Sequence, residues 1–172
     1  MTLPPLPFRV GQGFDAHRFA EGRRLVLGGV DVPFDRGLEG HSDADVLTHA
    51  VTDALLGAMA LGDLGAHFPP GDPRFRDADS LDLLREAKRL AREAGGVPAQ
   101  LDCTLYLERP RVASHVPAMR ENLARVLGLT LDRVSVKATT TEGMGFIGRG
   151  EGAAASAVIT VAFRQETEEH GE

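Results

Sequence analysis

A chain of 172 residues is close to the modal size of one domain and long enough to bury a hydrophobic core. Its formal charge of −6, of which Glu166, Glu168, Glu169 and Glu172 supply four negatives, excludes a basic surface for nucleic acid, and no apolar run is long enough for a membrane helix. The single cysteine, Cys103, permits no intrachain disulfide, and without an apolar leader the expectation is a soluble cytoplasmic protein. One domain is expected over residues 8–164, with flexible termini at 1–7 and 165–172.

Phe8 to Phe14 reads as a strand in which Gly11 and Gly13 permit close approach of another backbone or a ligand. Asp15 and His17 follow at i, i+2, a spacing that in extended backbone sends both side chains to one face. Leu25–Leu27 and Val30–Phe34 around Gly28-Gly29 predict a short hairpin. Ser42 with Asp45 is a variant capping box, and Val46, Leu47, Ala50, Val51, Ala54, Leu55, Ala58 and Met59 then recur at helical spacing, predicting a first helix from near Asp43. His49 lies on that helix with Asp45 and Asp53 one turn away on either side, each able to hold its second ring nitrogen.

Residues 62–73 are rich in glycine and proline and predict a long connection. Asp79–Ala94 is a strongly amphipathic second helix ended by Gly95-Gly96, Gln100–Glu108 alternates as a half-buried strand, and Ser114–Leu127 is a third helix closed by Gly128. Val134–Thr139 is a further strand, running into Thr140, Thr141 and Glu142 and then a stretch with five glycines from Gly143 to Gly152. Ala153–Arg164 is a last strand, apolar on both faces, so one face needs helices and the other a second covering layer such as another subunit. The sum is an α+β fold: a two-layer α/β sandwich with a mixed sheet of about four to five strands and three helices on one face.

An Asp-x-His pair on a strand and a His on a helix are able to converge on one cation while leaving a fourth position open, the arrangement of a catalytic zinc site. The plain alternative is that Asp15, His17 and His49 are ordinary packed or surface residues. Thr139, Thr140 and Thr141 at a strand end are placed to hydrogen-bond phosphate oxygens while Glu142 holds a hard cation such as Mg²⁺, although threonines also simply favour strands. His41 and Ser42 stand where a helix start offers free N–H groups to an anion, and Ser42 equally suits capping. The glycine run lacks a Walker ending, and Ser42, Cys103 and His115 carry no signature of a nucleophile with its base.

Taken together, Gly13–His17, His41–Asp45, His49–Gly57, Gly62–Gly65, Phe68-Pro69, Lys137–Glu142 and Gly145–Gly152 resemble the 2-C-methyl-D-erythritol 2,4-cyclodiphosphate synthase family of the non-mevalonate isoprenoid pathway. The resemblance covers nearly all of Phe8 to Phe163, and several long motifs in one order are far more specific than any one of them. It implies a homotrimer with sheets packed around the threefold axis and active sites at subunit interfaces. In each site Asp15, His17 and His49 would hold zinc, His41 and Thr140 would meet the reacting phosphates, and Glu142 would hold Mg²⁺ or Mn²⁺. Asp63 and Gly65 would contact the ribose, backbone from Leu107 through Arg111 to Ala113 together with Thr139 would take the cytidine diphosphate end, and Ser42, Phe68, Asp72 and Thr141 would complete the substrate contacts. Phe146, Arg149 and Glu151 would surround an axial cavity suited to an isoprenoid diphosphate.

Two departures stand out: Leu107-Glu108-Arg109-Pro110-Arg111 replaces the family's Ala-Gln-Ala-Pro-Lys, and Pro70-Gly71 replaces an acidic position, leaving Asp72 alone. The implied reaction is intramolecular phosphoryl transfer with release of CMP. Alternatives are a zinc-dependent phosphohydrolase and a non-catalytic isoprenoid diphosphate binder, and at this length no fused cytidylyltransferase is expected.

Overall fold

The computed structural model describes residues 7–163; the expected flexible termini, Pro7 apart, lie outside the described residues. In chain order the elements are strands β1 (Phe8–Ala20), β2 (Leu25–Leu27), β3 (Val30–Val32) and β4 (Gly37–Leu38), helices α1 (Val46–Ala58), α2 (Leu64–His67) and α3 (Ser80–Glu93), strand β5 (Gly96–Tyr106), helix α4 (Val116–Leu127), strand β6 (Val134–Thr139), helix α5 (Gly145–Gly148) and strand β7 (Gly152–Phe163). Five strands form one sheet in the order β4-β1-β7-β5-β6, parallel only between β5 and β6, while β2 and β3 pair separately. The expected α+β sandwich is therefore present, with α1, α3 and α4 on one face and two additional four-residue helices where only loop was expected.

Small residues set the distance between the layers. A Cβ on Gly11 would stand 1.9 Å from the Ala54 carbonyl oxygen and one on Gly13 2.1 Å from that of Ala50, so only glycine lets β1 touch the α1 backbone. The neighbour anticipated at these glycines is thus a helix, not a ligand. Ala155, Ala157, Ile159 and Val161 of β7 bury the same face against α1. On α3, Leu84, Ala87 and Ala91 point inward. Each two-residue step along β1 covers about 6.6 Å, a little more than the ~5.4 Å of one helical turn. The row that begins Gly11, Gly13 therefore continues with Asp15 and His17 beside the first turns of α1, where His49 lies.

Helix α1 begins later than the sequence suggested. Its N-cap is Asp45, whose side chain accepts from the N–H groups of Leu47 and Thr48, whereas Ser42 Oγ caps nothing in the helix and accepts from Ala44 N–H in the preceding turn. Asp45 also gathers the N–H groups of Gly28 and Gly29 at 2.9 and 2.7 Å. Those two residues form the β2–β3 turn at φ 58° and 69°, a left-handed geometry in which glycine is unstrained. The opposite sheet face carries Val10, Phe14 and Val158, exposed by 58, 56 and 44%, a row that no element of the chain covers among the described residues.

Candidate metal centre and substrate cavity

β1 delivers Asp15 and His17 to one face, and α1 brings His49 over them. Asp15 Oδ2 lies 2.8 Å from His17 Nε2 and 3.0 Å from His49 Nδ1, and the two ring nitrogens are 3.2 Å apart. Donors about 2.0–2.1 Å from a tetrahedral zinc ion are separated by about 3.3 Å, so one oxygen and two nitrogens already stand within about half an ångström of that spacing. Two imidazoles and a carboxylate also suit zinc chemically. These three residues are the one group of potential metal ligands of this kind among the described residues.

Burial pushes the Asp15 carboxyl upward, but its hydrogen bonds to His17 and His49 outweigh that and hold it well below the usual carboxylate range. Burial pulls His17 down, and the Asp15 carboxylate more than reverses this, leaving the imidazole above its ordinary value of 6.5. The raised His17 contributes folding stability that is complete below pH 6.5 and is lost as pH rises through its folded-state value; the depressed Asp15 contributes stability present above 3.8 and lost as pH falls through its own. A cation must displace the His17 proton. Zinc affinity, followed by competition with a chromophoric chelator, should therefore increase between pH 6 and 8, by up to about tenfold per unit for each proton displaced; a flat profile would refute a histidine ligand set.

The second nitrogen of His49 does not find the partner expected for it. Asp45 is spent on helix capping and the hairpin, and Asp53 accepts from Leu64 N–H at 2.7 Å at the start of α2. His49 Nε2 instead faces Ser80 Oγ at 3.0 Å and Ser42 Oγ at 3.1 Å. Ser80 is the residue that sequence reasoning missed: it opens α3, 31 positions from His49, and no spacing rule connects the two. Nor are the α1 N–H groups free for an anion beside His41, because the Asp45 carboxylate fills them.

The cluster floors a cavity of about 350 Å³ that also takes in His41, Ser42, Asp63, Gly65 and Phe68. Its apolar wall is Phe68 against Phe75, ring centroids 5.3 Å apart, continued by Pro69, Pro70 and Leu83. Asp72 does not line it; its carboxylate is held by Arg74. Leu107, Arg111, Ala113, Thr139 and Thr140 line a separate cleft of about 230 Å³ after β5 and β6. Next to it Thr140 Oγ1 donates to Glu142 Oε1 at 3.0 Å. The Thr141 hydroxyl is engaged with the Met144 carbonyl at 2.6 Å and with Glu108, so it braces the turn. Glu108, one of the departures noted above, accepts from the N–H groups of Thr141 and Gly143 as well. Phe146 and Arg149 belong to neither cavity; Phe146 is exposed and Arg149 pairs with Glu151 at 2.6 Å.

Fold and site together define an α+β domain with a candidate His₂Asp divalent-metal centre opening on a substrate-sized cavity. Residues 8–162 match the YgbB family, and the chain belongs to that family. It is 58% identical over 91% of its length to 96% of the 2-C-methyl-D-erythritol 2,4-cyclodiphosphate synthase of Moorella thermoacetica. Among solved structures, a 2C-methyl-D-erythritol-2,4-cyclodiphosphate synthase in a CDP-bound form superposes with a TM-score of 0.82 at 40% identity, covering 89% of this chain and 99% of that one. The bifunctional IspDF from Campylobacter jejuni gives a TM-score of 0.89 at 41% identity, with 94% of this chain covering 44% of that longer one. Among the described residues no helix is long and apolar enough to cross a membrane.

Proposed function

We infer that this chain converts 4-diphosphocytidyl-2-C-methyl-D-erythritol 2-phosphate to 2-C-methyl-D-erythritol 2,4-cyclodiphosphate with release of CMP. The observation that carries this is the convergence of Asp15, His17 and His49 at the floor of an open cavity in a chain whose relatives bear that synthase name. Ring closure joins a 2-phosphate oxygen to the β-phosphorus as the bond to CMP breaks. The protein's task in such a step is positioning and charge neutralisation.

Asp15, His17 and His49 would hold zinc, which when bound supplies Lewis-acid charge to a phosphate oxygen. Asp63 and Gly65 would meet ribose hydroxyls, His41 would meet a phosphate, and the Phe68–Phe75 wall would keep water from the reacting end. Glu142 offers a single carboxylate, which suits Mg²⁺ or Mn²⁺ completed by substrate oxygens and water. Backbone from Leu107 to Ala113 with Thr139 would take the cytidine end. Glu108 bracing the Thr139–Gly143 turn supports the view that the departures there keep the cleft.

Within one chain the metal cluster and the Leu107–Thr140 cleft are separate cavities. A homotrimer that joins the cleft of one subunit to the cluster of the next would build a complete site, and the uncovered row of Val10, Phe14 and Val158 supports such packing. Phe146, Arg149 and Glu151 would then face the axis, where an isoprenoid diphosphate is the ligand we propose. The buried free thiol of Cys103 suits a reducing, cytoplasmic compartment. The synthase names of the relatives do not favour the hydrolase or binder alternatives.

The test is ³¹P NMR after incubation of the protein with the diphosphocytidyl substrate and Mg²⁺. Two mutually coupled diphosphate signals and CMP are expected; linear phosphates would replace this function with hydrolysis.

A further inference from the structure

We propose that Asp43 and Ser80 form a positioning pair that accepts a ring proton on His49 Nε2 and so reserves Nδ1, the nitrogen that faces Asp15 and His17, for the cation. The inference rests on the metal reading of that cluster and adds to it the device that selects the ligating nitrogen.

Asp43 is held by Ser80 twice: the Ser80 backbone N–H donates to Oδ2 at 3.1 Å, and the hydroxyl donates to Oδ1. A carboxylate only accepts, so the single hydroxyl proton of Ser80 is committed to Asp43. Ser80 Oγ then has nothing but lone pairs to offer His49 Nε2, which stands 3.0 Å away. A bare Nε2 would set lone pair against lone pair in a site where Ser80 is wholly buried and His49 nearly so. In a ring whose Nδ1, 3.0 Å from Asp15 Oδ2, is given to a cation, the proton must therefore sit on Nε2, and the tautomer of a ligating histidine is set by the hydrogen bond at its other nitrogen. Ser42 Oγ, 3.1 Å from Nε2, does not decide the matter, because its hydroxyl is able to donate or accept.

The chain of contacts also reaches across the fold. Asp43 lies ahead of α1 and Ser80 opens α3, so the start of α3 is locked to the residue that α1 contributes to the cluster. Asp79 caps α3 by accepting from Leu81 N–H at 2.8 Å, which leaves the Ser80 side chain free for this second task.

The test uses the whole chain. With ¹⁵N-labelled histidine and ¹¹³Cd in place of zinc, His49 is expected to couple to the metal through Nδ1 and to show a protonated Nε2. Ser80→Ala is expected to weaken zinc binding by about 10- to 100-fold in a competition titration, while circular dichroism of the metal-free variant matches that of the unaltered protein. Metal coupling to Nε2 in the unaltered protein overturns the proposal without reference to any variant, as does a well-folded Ser80→Ala that binds zinc within twofold of it. Failure of the unaltered protein to take up either metal overturns the metal reading itself and this inference with it.

Discussion

His49→Ala is expected to lose the bound divalent metal and to lower turnover by more than about a hundredfold, since even residues one shell removed from a metal cost 10- to 100-fold. Asp15 and His17 alone leave two donors, and two do not hold zinc in competition with water. The fold should survive: alanine is the best helix former, His49 sits one turn into α1 with its ring at the cavity wall, and the packing of α1 on β1 and β7 runs through Ala50, Ala54 and Ala58. Metal content after dialysis, the ³¹P product assay and circular dichroism measured on one preparation decide it. A folded variant that keeps either its metal or its activity would sink the assignment of the centre.

The largest effect on stability is expected at Asp45→Ala. The carboxylate is fully buried and accepts from the N–H groups of Gly28, Gly29, Leu47 and Thr48 and from the Thr48 hydroxyl. Removing it strands several buried donors at about 1–3 kcal/mol each before relaxation. A loss of about 3–5 kcal/mol is therefore expected, a large part of the 5–15 kcal/mol typical of a domain. Urea unfolding of the metal-free protein measures it, and a change under about 1 kcal/mol would mean that water or a rearranged turn replaces the carboxylate. Asp45→Asn keeps an acceptor for the α1 N–H groups and should lose less.

The two expectations concern neighbouring residues of one motif, and they differ in how far the sequence discloses them. Asp15, His17 and His49 were legible as candidates for one cluster because each periodicity is local: alternation puts the first two on one face of a strand, and helical spacing leaves the third beside the apolar stripe. The roles of Asp45 and Asp53 were not legible. On the helical wheel both flank His49, yet Asp45 lies at the helix end, where unsatisfied N–H groups of its own chain and of the Gly28-Gly29 turn attract it. Asp53 likewise serves the backbone of α2. The competition for a carboxylate is decided by donors that the fold brings from elsewhere.

The main strands and the three long helices, the α+β class, the need for close approach at Gly11 and Gly13 and the candidacy of Asp15, His17 and His49 were readable from the chain, because these depend on periodicity and steric size along short stretches. Only the tertiary structure decided that Ser80, far along the chain, supplies the partner of His49, that Thr141 and Glu108 brace a turn rather than standing free, and that the cleft at Leu107–Thr140 lies apart from the metal cluster. Those outcomes depend on which donors and acceptors meet across the sheet and between helices, and hydrogen-bond pairing over long separations leaves no periodic trace in a sequence.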